Sequence, residues 1–154
     1  MRSFPRNSPE AAARIVALVL ICDGHVCRSE LDALDRLQIE HALALDPGAF
    51  PRIVHQLCED LLACAGDDLT GSLDEDTLHA LLAEVDDPAL QGRVLRLADG
   101  AARADRHLSD AEERVLAAAA SAWGLQGTIG ARAEPLHRPL AASPAHQRPA
   151  PIQG

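Results

Sequence analysis

Asp23, Glu30, Asp105 and Glu112 occupy matched positions in two segments of the 154-residue chain. Asp23-Gly24-His25-Val26 leads to Glu30 and Leu34, and Asp105-Arg106-His107-Leu108 leads to Glu112 and Leu116, 82 residues further on. Each segment reads D-x-H-(V/L)-x-x-x-E-x-x-x-L, with the Asp closing one helix and the Glu in the first turn of the next. If the turns fold each pair into a hairpin mouth and the two mouths converge, four carboxylates share one dry place. They cannot all stay ionised and unpaired there. A divalent cation resolves the conflict, and oxygen ligands suit hard ions such as Ca²⁺, Mg²⁺ or Mn²⁺. Adding His25 and His107 shifts the preference toward Zn²⁺ or another transition metal. The same residues also have a structural reading. Glu30 and Glu112 stand where capping-box glutamates reach back to the N-cap amide. Asp23 and Asp105 can satisfy backbone N–H groups in their turns, and the histidines can sit on the surface.

Other chemistry is thin. Glu134…His137 is the E-x-x-H pair, and it falls in a Pro-rich tail rather than on a helix, against a di-iron bundle site. Asp76…His79 has helical spacing but is expected to face solvent. Cys22, His25 and Cys27 fit a zinc knuckle only loosely, with no second Cys pair to complete it. Cys58 and Cys64 read as core thiols. No Gly-rich phosphate loop, nucleophile elbow or EF-hand pattern occurs, and Asp67-Asp68-Leu69 fails the last at its third position. With no nucleophile–base set in view, no catalytic residue is assigned and the chain is not expected to be an enzyme.

The elements that must position these residues are helical. Apolar residues are 47% of the chain and aromatics only 2%, with no Tyr, so the apolar mass is mainly Leu and Ala. That favours helix over strand. Ser8-Pro9-Glu10 opens a first helix running to about Cys22, apolar all round in its second half and so central. A second runs from Cys27, with Leu31, Leu34, Leu37 and Leu45 along one side, to Asp46-Pro47-Gly48. A third, near Pro51–Ala65, turns Ile53, Val54, Leu57, Cys58, Leu61 and Leu62 inward. Ser72-Leu73-Asp74-Glu75 reads as a capping box for a fourth helix burying Leu78, Leu81, Leu82 and Val85. Asp87-Pro88 starts a fifth, with Leu90, Val94, Leu97, Ala98 and Ala101 inward. Ser109-Asp110-Ala111-Glu112 starts a sixth, carrying Val115, Leu116, Ala119 and Trp123 and ending at Gly124. The expected fold is an all-α bundle of about six helices with two pseudo-equivalent hairpins. It spans residues 1–125, followed over 126–154 by a tail with five Pro and no apolar period, expected to be disordered.

Charge narrows the partners. The formal net charge is −9, and the last 29 residues hold three Arg against one Glu, which leaves −11 on residues 1–125. Such a body repels phosphate backbones, so nucleic acid is excluded as a partner. Between Glu59 and Asp87 there are ten carboxylates and no Arg; these read as a solvated face or as a docking surface for a basic partner. The apolar run Ile15–Cys22 is far short of the ~20 residues that span a bilayer, so no direct membrane insertion is expected. Four Cys without a secretion signal point to reduced thiols and a cytoplasmic setting.

At Cys22-Asp23-Gly24 to Ser29-Glu30, at Ala104-Asp105 to Ser109-Asp110-Ala111-Glu112, and at Ala119 to Trp123-Gly124-Leu125, the sequence resembles the TerB-like family. This is the helical tellurite-resistance domain, also found at the N-terminus of some membrane-anchored J-domain co-chaperones. The similarity covers roughly residues 9–125. Arg106 departs from it, standing where the family usually has Gly in the second turn, and Arg does not readily adopt the positive φ that Gly tolerates. The resemblance implies a metal-stress or interaction role and names no reaction. Two functions follow as expectations. One is a non-enzymatic domain that binds or senses divalent metal ions in a tellurite or metal-stress response. The other is a protein–protein interaction module, a co-chaperone-like adaptor with a membrane-associated partner, whose Asp/Glu repeat is purely structural.

Overall fold

Ser8 opens the first helix as its sequence predicts: its hydroxyl accepts from the Ala11 N–H at 3.1 Å, and Pro9 takes the first helical position, where no amide partner is needed. The structure, a computed structural model, describes residues 2–22, 24, 28–64, 74–104 and 108–127, apart from the side chains of Ser29, Glu30 and Cys64. Among these residues the chain is all-helical, with α1 (Pro9–Ile21), α2 (Arg28–Arg36), α3 (Ile39–Leu43), α4 (Ala49–Cys64), α5 (Glu75–Leu82), α6 (Pro88–Ala102) and α7 (Asp110–Ala122). The expected all-α bundle is what forms. None of these helices is long and apolar enough to cross a membrane.

Every residue from Ala11 to Leu20 is buried, so α1 is the central rod of the bundle. It packs most extensively on α6 and next on α4. Small side chains allow the close approach: Ala11, Ala12, Ala13 and Ala17 from α1, and Ala98, Ala101 and Ala102 from α6, are all buried. Asp87 caps α6 by accepting from the Leu90 N–H at 2.8 Å, again with Pro following. Ser109 and Glu112 form the reciprocal capping box of α7.

Three expectations need correction. The second helix is two, because Gln38 takes a left-handed conformation (φ 50°) and breaks it. In an unbroken helix Ile39 and Leu43 would stand about 140° and 180° around the axis from Leu34, away from the core. The break turns both inward, where they are buried, and leaves Leu31 and Leu37 more than 40% exposed. It also opens a groove of about 740 Å³, lined in part by Leu34, Ile39 and Phe50. On α4, Ile53 and Leu57 are buried as expected but Leu62 is 77% exposed, since α4 meets the core along a narrower stripe than its apolar content suggested. At α5 the cap is Asp74, not Ser72: its carboxylate accepts from the Thr77 N–H at 2.7 Å and the Thr77 hydroxyl at 2.6 Å. Ser72 lies outside the described residues.

Two carboxylates, Glu40 in α3 and Asp74 just before α5, act as caps with a consequence for acid stability. Glu40 accepts from the N–H groups of Gly48 (3.0 Å) and Phe50 (3.1 Å) at the entry to α4, and those bonds hold its pKa below the ordinary 4.5. The Thr77 hydroxyl and N–H hold Asp74 below 3.8 in the same way. A lowered folded-state pKa means that the stabilisation is complete above the ordinary value and fades as pH falls through the folded one. Melting temperature should therefore fall as pH drops below about 4, and Glu40→Gln should make that acid limb shallower. An identical acid limb in the variant would remove Glu40 from the account.

The expected tail, apart from Gln126 and Gly127, lies outside the described residues. Cutting the chain after Gln126 is expected to leave the melting temperature nearly unchanged; a fall of many degrees would show that the tail packs on the body.

Candidate functional site

The expected equivalence of the two hairpins is visible in where their second helices begin. α2 starts at Arg28 and α7 at Asp110, the same offset of 82 residues that relates the sequence segments. α2 packs on α6, whereas α7 packs equally on α1 and α6, so the two second helices are not placed alike on the α1–α6 pair. Asn7 ties the starts of α1 and α6 together. Its carbonyl oxygen accepts from the N–H groups of Asp86 (2.8 Å) and Asp87 (2.9 Å), just before α6, and Asn7 itself precedes the Ser8 cap of α1. Starting side by side and packed along one another, α1 and α6 run in the same sense, so both end at the same end of the pair.

Among the four carboxylates of the repeat, Glu112 is the one whose side chain the structure describes. Its Oε2 accepts from the Ser109 N–H at 2.7 Å while the Ser109 hydroxyl accepts from the Glu112 N–H at 3.2 Å, so the capping role is real. Capping uses only half of the carboxylate. Glu112 is 2% exposed, and its Oε1 is buried with no hydrogen-bond partner. A buried acceptor left without a donor costs about 1–3 kcal/mol, so Glu112 is more deeply sequestered than a cap requires. Glu30 lies in the first turn of α2, at the matched position. Asp23, His25, Asp105 and His107 lie outside the described residues. Among the described residues no three of His, Cys, Asp and Glu come together as a metal-holding group. Asp76 and His79 sit exposed on α5, as expected; His79 Nε2 is 3.9 Å from Glu75.

A second constellation escaped the sequence reading. Arg14, in the apolar middle of α1, is 1% exposed. Its guanidinium donates to the Arg2 carbonyl at 2.8 Å and to Glu84 Oε2 at 3.2 Å, lies 3.8 Å from Asp60, and stacks 5.2 Å from the Phe4 ring centre. Its Nη2 has no hydrogen-bond partner. Around this core the segment before α1 is pinned down. The Arg2 N–H donates to Asp60 (2.9 Å), the Arg2 guanidinium to Glu59 (3.0 Å) and the Gln56 carbonyl (3.2 Å), and the Ser3 hydroxyl to Glu84 (3.1 Å). Arg6 donates to Asp86 at 3.1 Å. Hydrogen bonds from Asn7, and then from Arg6, hold the Asp86 carboxyl below its ordinary 3.8. Four of the ten carboxylates in the Glu59–Asp87 stretch, Glu59, Asp60, Glu84 and Asp86, are therefore neither bare nor purely solvated, because the chain's own arginines meet them. The one local signal was a lone Arg in a helix otherwise apolar around it.

No family model, curated protein or solved structure matches the chain.

Proposed function

We propose that the chain is a non-enzymatic, TerB-like helical domain that binds a divalent metal ion where α2 and α7 begin, and that it serves a tellurite or metal-stress response. The observation that carries this reading is the buried, unpartnered Oε1 of Glu112. A cation beside it supplies the missing partner and converts a costly acceptor into a ligand. Glu30 would contribute the matching carboxylate from the other hairpin, and Asp23 and Asp105 would complete an oxygen set suited to Ca²⁺, Mg²⁺ or Mn²⁺. Participation by His25 and His107 would favour Zn²⁺ instead. The metal would join the two hairpins, which is what a sensor needs: binding biases the packing of two helix pairs that a protein partner can read. A cytoplasmic setting and a membrane-associated partner belong to the same reading.

Melting curves test it. A ligand that binds only the folded state stabilises by RT ln(1 + [L]/Kd), about 2.7 kcal/mol at a hundredfold excess over Kd. One of Mg²⁺, Ca²⁺, Mn²⁺ or Zn²⁺ should raise the melting temperature by several degrees over a chelated sample. Identical curves with chelator and with all four ions would sink the metal reading.

A further inference from the structure

We propose that the acidic face formed by the end of α4 and the exit of α5 is a binding site for an arginine-bearing peptide, and that residues 2–6 occupy it in cis as a displaceable strap. The occupant shows the chemistry the site accepts. Two arginines four residues apart reach carboxylates on two different elements: Arg2 meets Glu59 and Asp60 on α4, and Arg6 meets Asp86 beyond α5. Between them the backbone engages at both ends of one residue, the Arg2 N–H on Asp60 and the Arg2 carbonyl on Arg14. Phe4 lies against the Arg14 guanidinium. The site thus reads the main-chain groups of one residue, two cationic side chains and an aromatic between them.

The strap is built to come off. Its arginines are well exposed, 49% for Arg2 and 67% for Arg6, and the pairs they make with the exposed Glu59 and Asp86 are weak and screened by salt. A cavity of about 340 Å³ remains between strap residues such as Phe4 and Arg6 and the α5 residues Ala80 and Leu81, so the strap does not close down on the helix beneath it. The next residues are fixed independently: Asn7 holds the start of α6 and Ser8 caps α1. Opening therefore stops at Asn7 and leaves the bundle intact, a local rather than a global unfolding. What it uncovers is Glu59, Asp60, Glu84 and Asp86 around the buried Arg14, whose Nη2 already lacks an acceptor. A second arginine-bearing segment would restore both the charge balance and the carbonyl.

The test uses the full chain carrying Arg2→Ala, Phe4→Ala and Arg6→Ala, which removes every side-chain anchor the strap has on Arg14, Glu59 and Asp86, and a fluorescein-labelled peptide with the sequence of residues 1–8, followed by anisotropy at low and high salt without metal. The opened variant should bind the peptide at least about tenfold more tightly than the wild type, whose tethered strap competes at high effective concentration, and binding should weaken as salt rises. A folded variant that does not bind, or equal binding by both proteins, overturns the proposal. Self-association of the wild type without peptide capture by the variant gives the site to a second copy and also overturns it. Hydrogen exchange on the wild type guards against a misfolded variant. The Arg2 amide should exchange by a local opening, orders of magnitude faster than the amides of Ile15–Leu20; exchange at the same rate as those core amides would make the strap a permanent part of the fold.

Discussion

Arg14→Ala is expected to destabilise the protein by about 3–5 kcal/mol, the usual cost of removing one partner from a buried ion pair. For a folded body of this size that corresponds to a fall in melting temperature of roughly 10–20 °C. The size of the effect follows from what the guanidinium does. Its side chain is 2% exposed, and it faces Glu84 and Asp60, whose own side chains are only 16% and 11% exposed. Without it two poorly solvated carboxylates confront each other, the Arg2 carbonyl loses its donor, and Phe4 loses its stacking partner. A methionine at the same position restores volume but not charge, so it should recover only the packing share of the loss. Arg6→Ala supplies the contrast: the exposed Arg6–Asp86 pair should cost no more than about 1 kcal/mol. Equal losses for Arg14→Ala and Arg6→Ala would show that Arg14 does not hold the buried cluster together.

Glu112→Ala should abolish any metal-induced rise in melting temperature and, in chelator, cost on the order of 1 kcal/mol by analogy with losing a helix cap. The two consequences have separate origins, because the two oxygens do separate work. Oε2 closes the capping box on the Ser109 amide, and Oε1 has no protein partner. Asp105→Asn and Asp23→Asn divide the effects further. Each should remove the metal response at little cost to the chelated protein, since relief of carboxylate repulsion offsets a lost turn hydrogen bond. Under a purely structural reading the pattern reverses. Glu112→Ala then costs the same with and without metal, and any loss in the Asp→Asn variants is likewise the same in chelator and in metal.

How far the chain could be read before its structure depended on the distance over which each feature is decided. Ser8-Pro9, Asp87-Pro88 and the Ser109…Glu112 box announce their helices because a cap is settled within four residues. The break at Gln38 is settled elsewhere: Ile39 and Leu43 must reach a core built by α1 and α4, and no local pattern around Gln38 says so. The shift of the α5 cap from Ser72 to Asp74 was a choice between two competent capping residues, and the Thr77 hydroxyl favours the second. The arginine–carboxylate cluster was the hardest to foresee. Apart from the bond from Arg14 to the Arg2 carbonyl, its hydrogen bonds join residues 54 to 81 positions apart, so the charge pattern displayed ten carboxylates within one stretch and hid the cations that meet four of them. The repeat, by contrast, gave Glu112 at once, and its burial adds what spacing could not show: a capping glutamate with one oxygen left over.

Crystals of the full chain grown with Mn²⁺ and measured for anomalous scattering test the central claim most directly. One anomalous peak bound by the Glu112 carboxylate together with Glu30, Asp23 and Asp105 is the expected result. A map with no peak at Glu112, under conditions where the ion is in large excess, would contradict it and leave Glu112 as a cap alone.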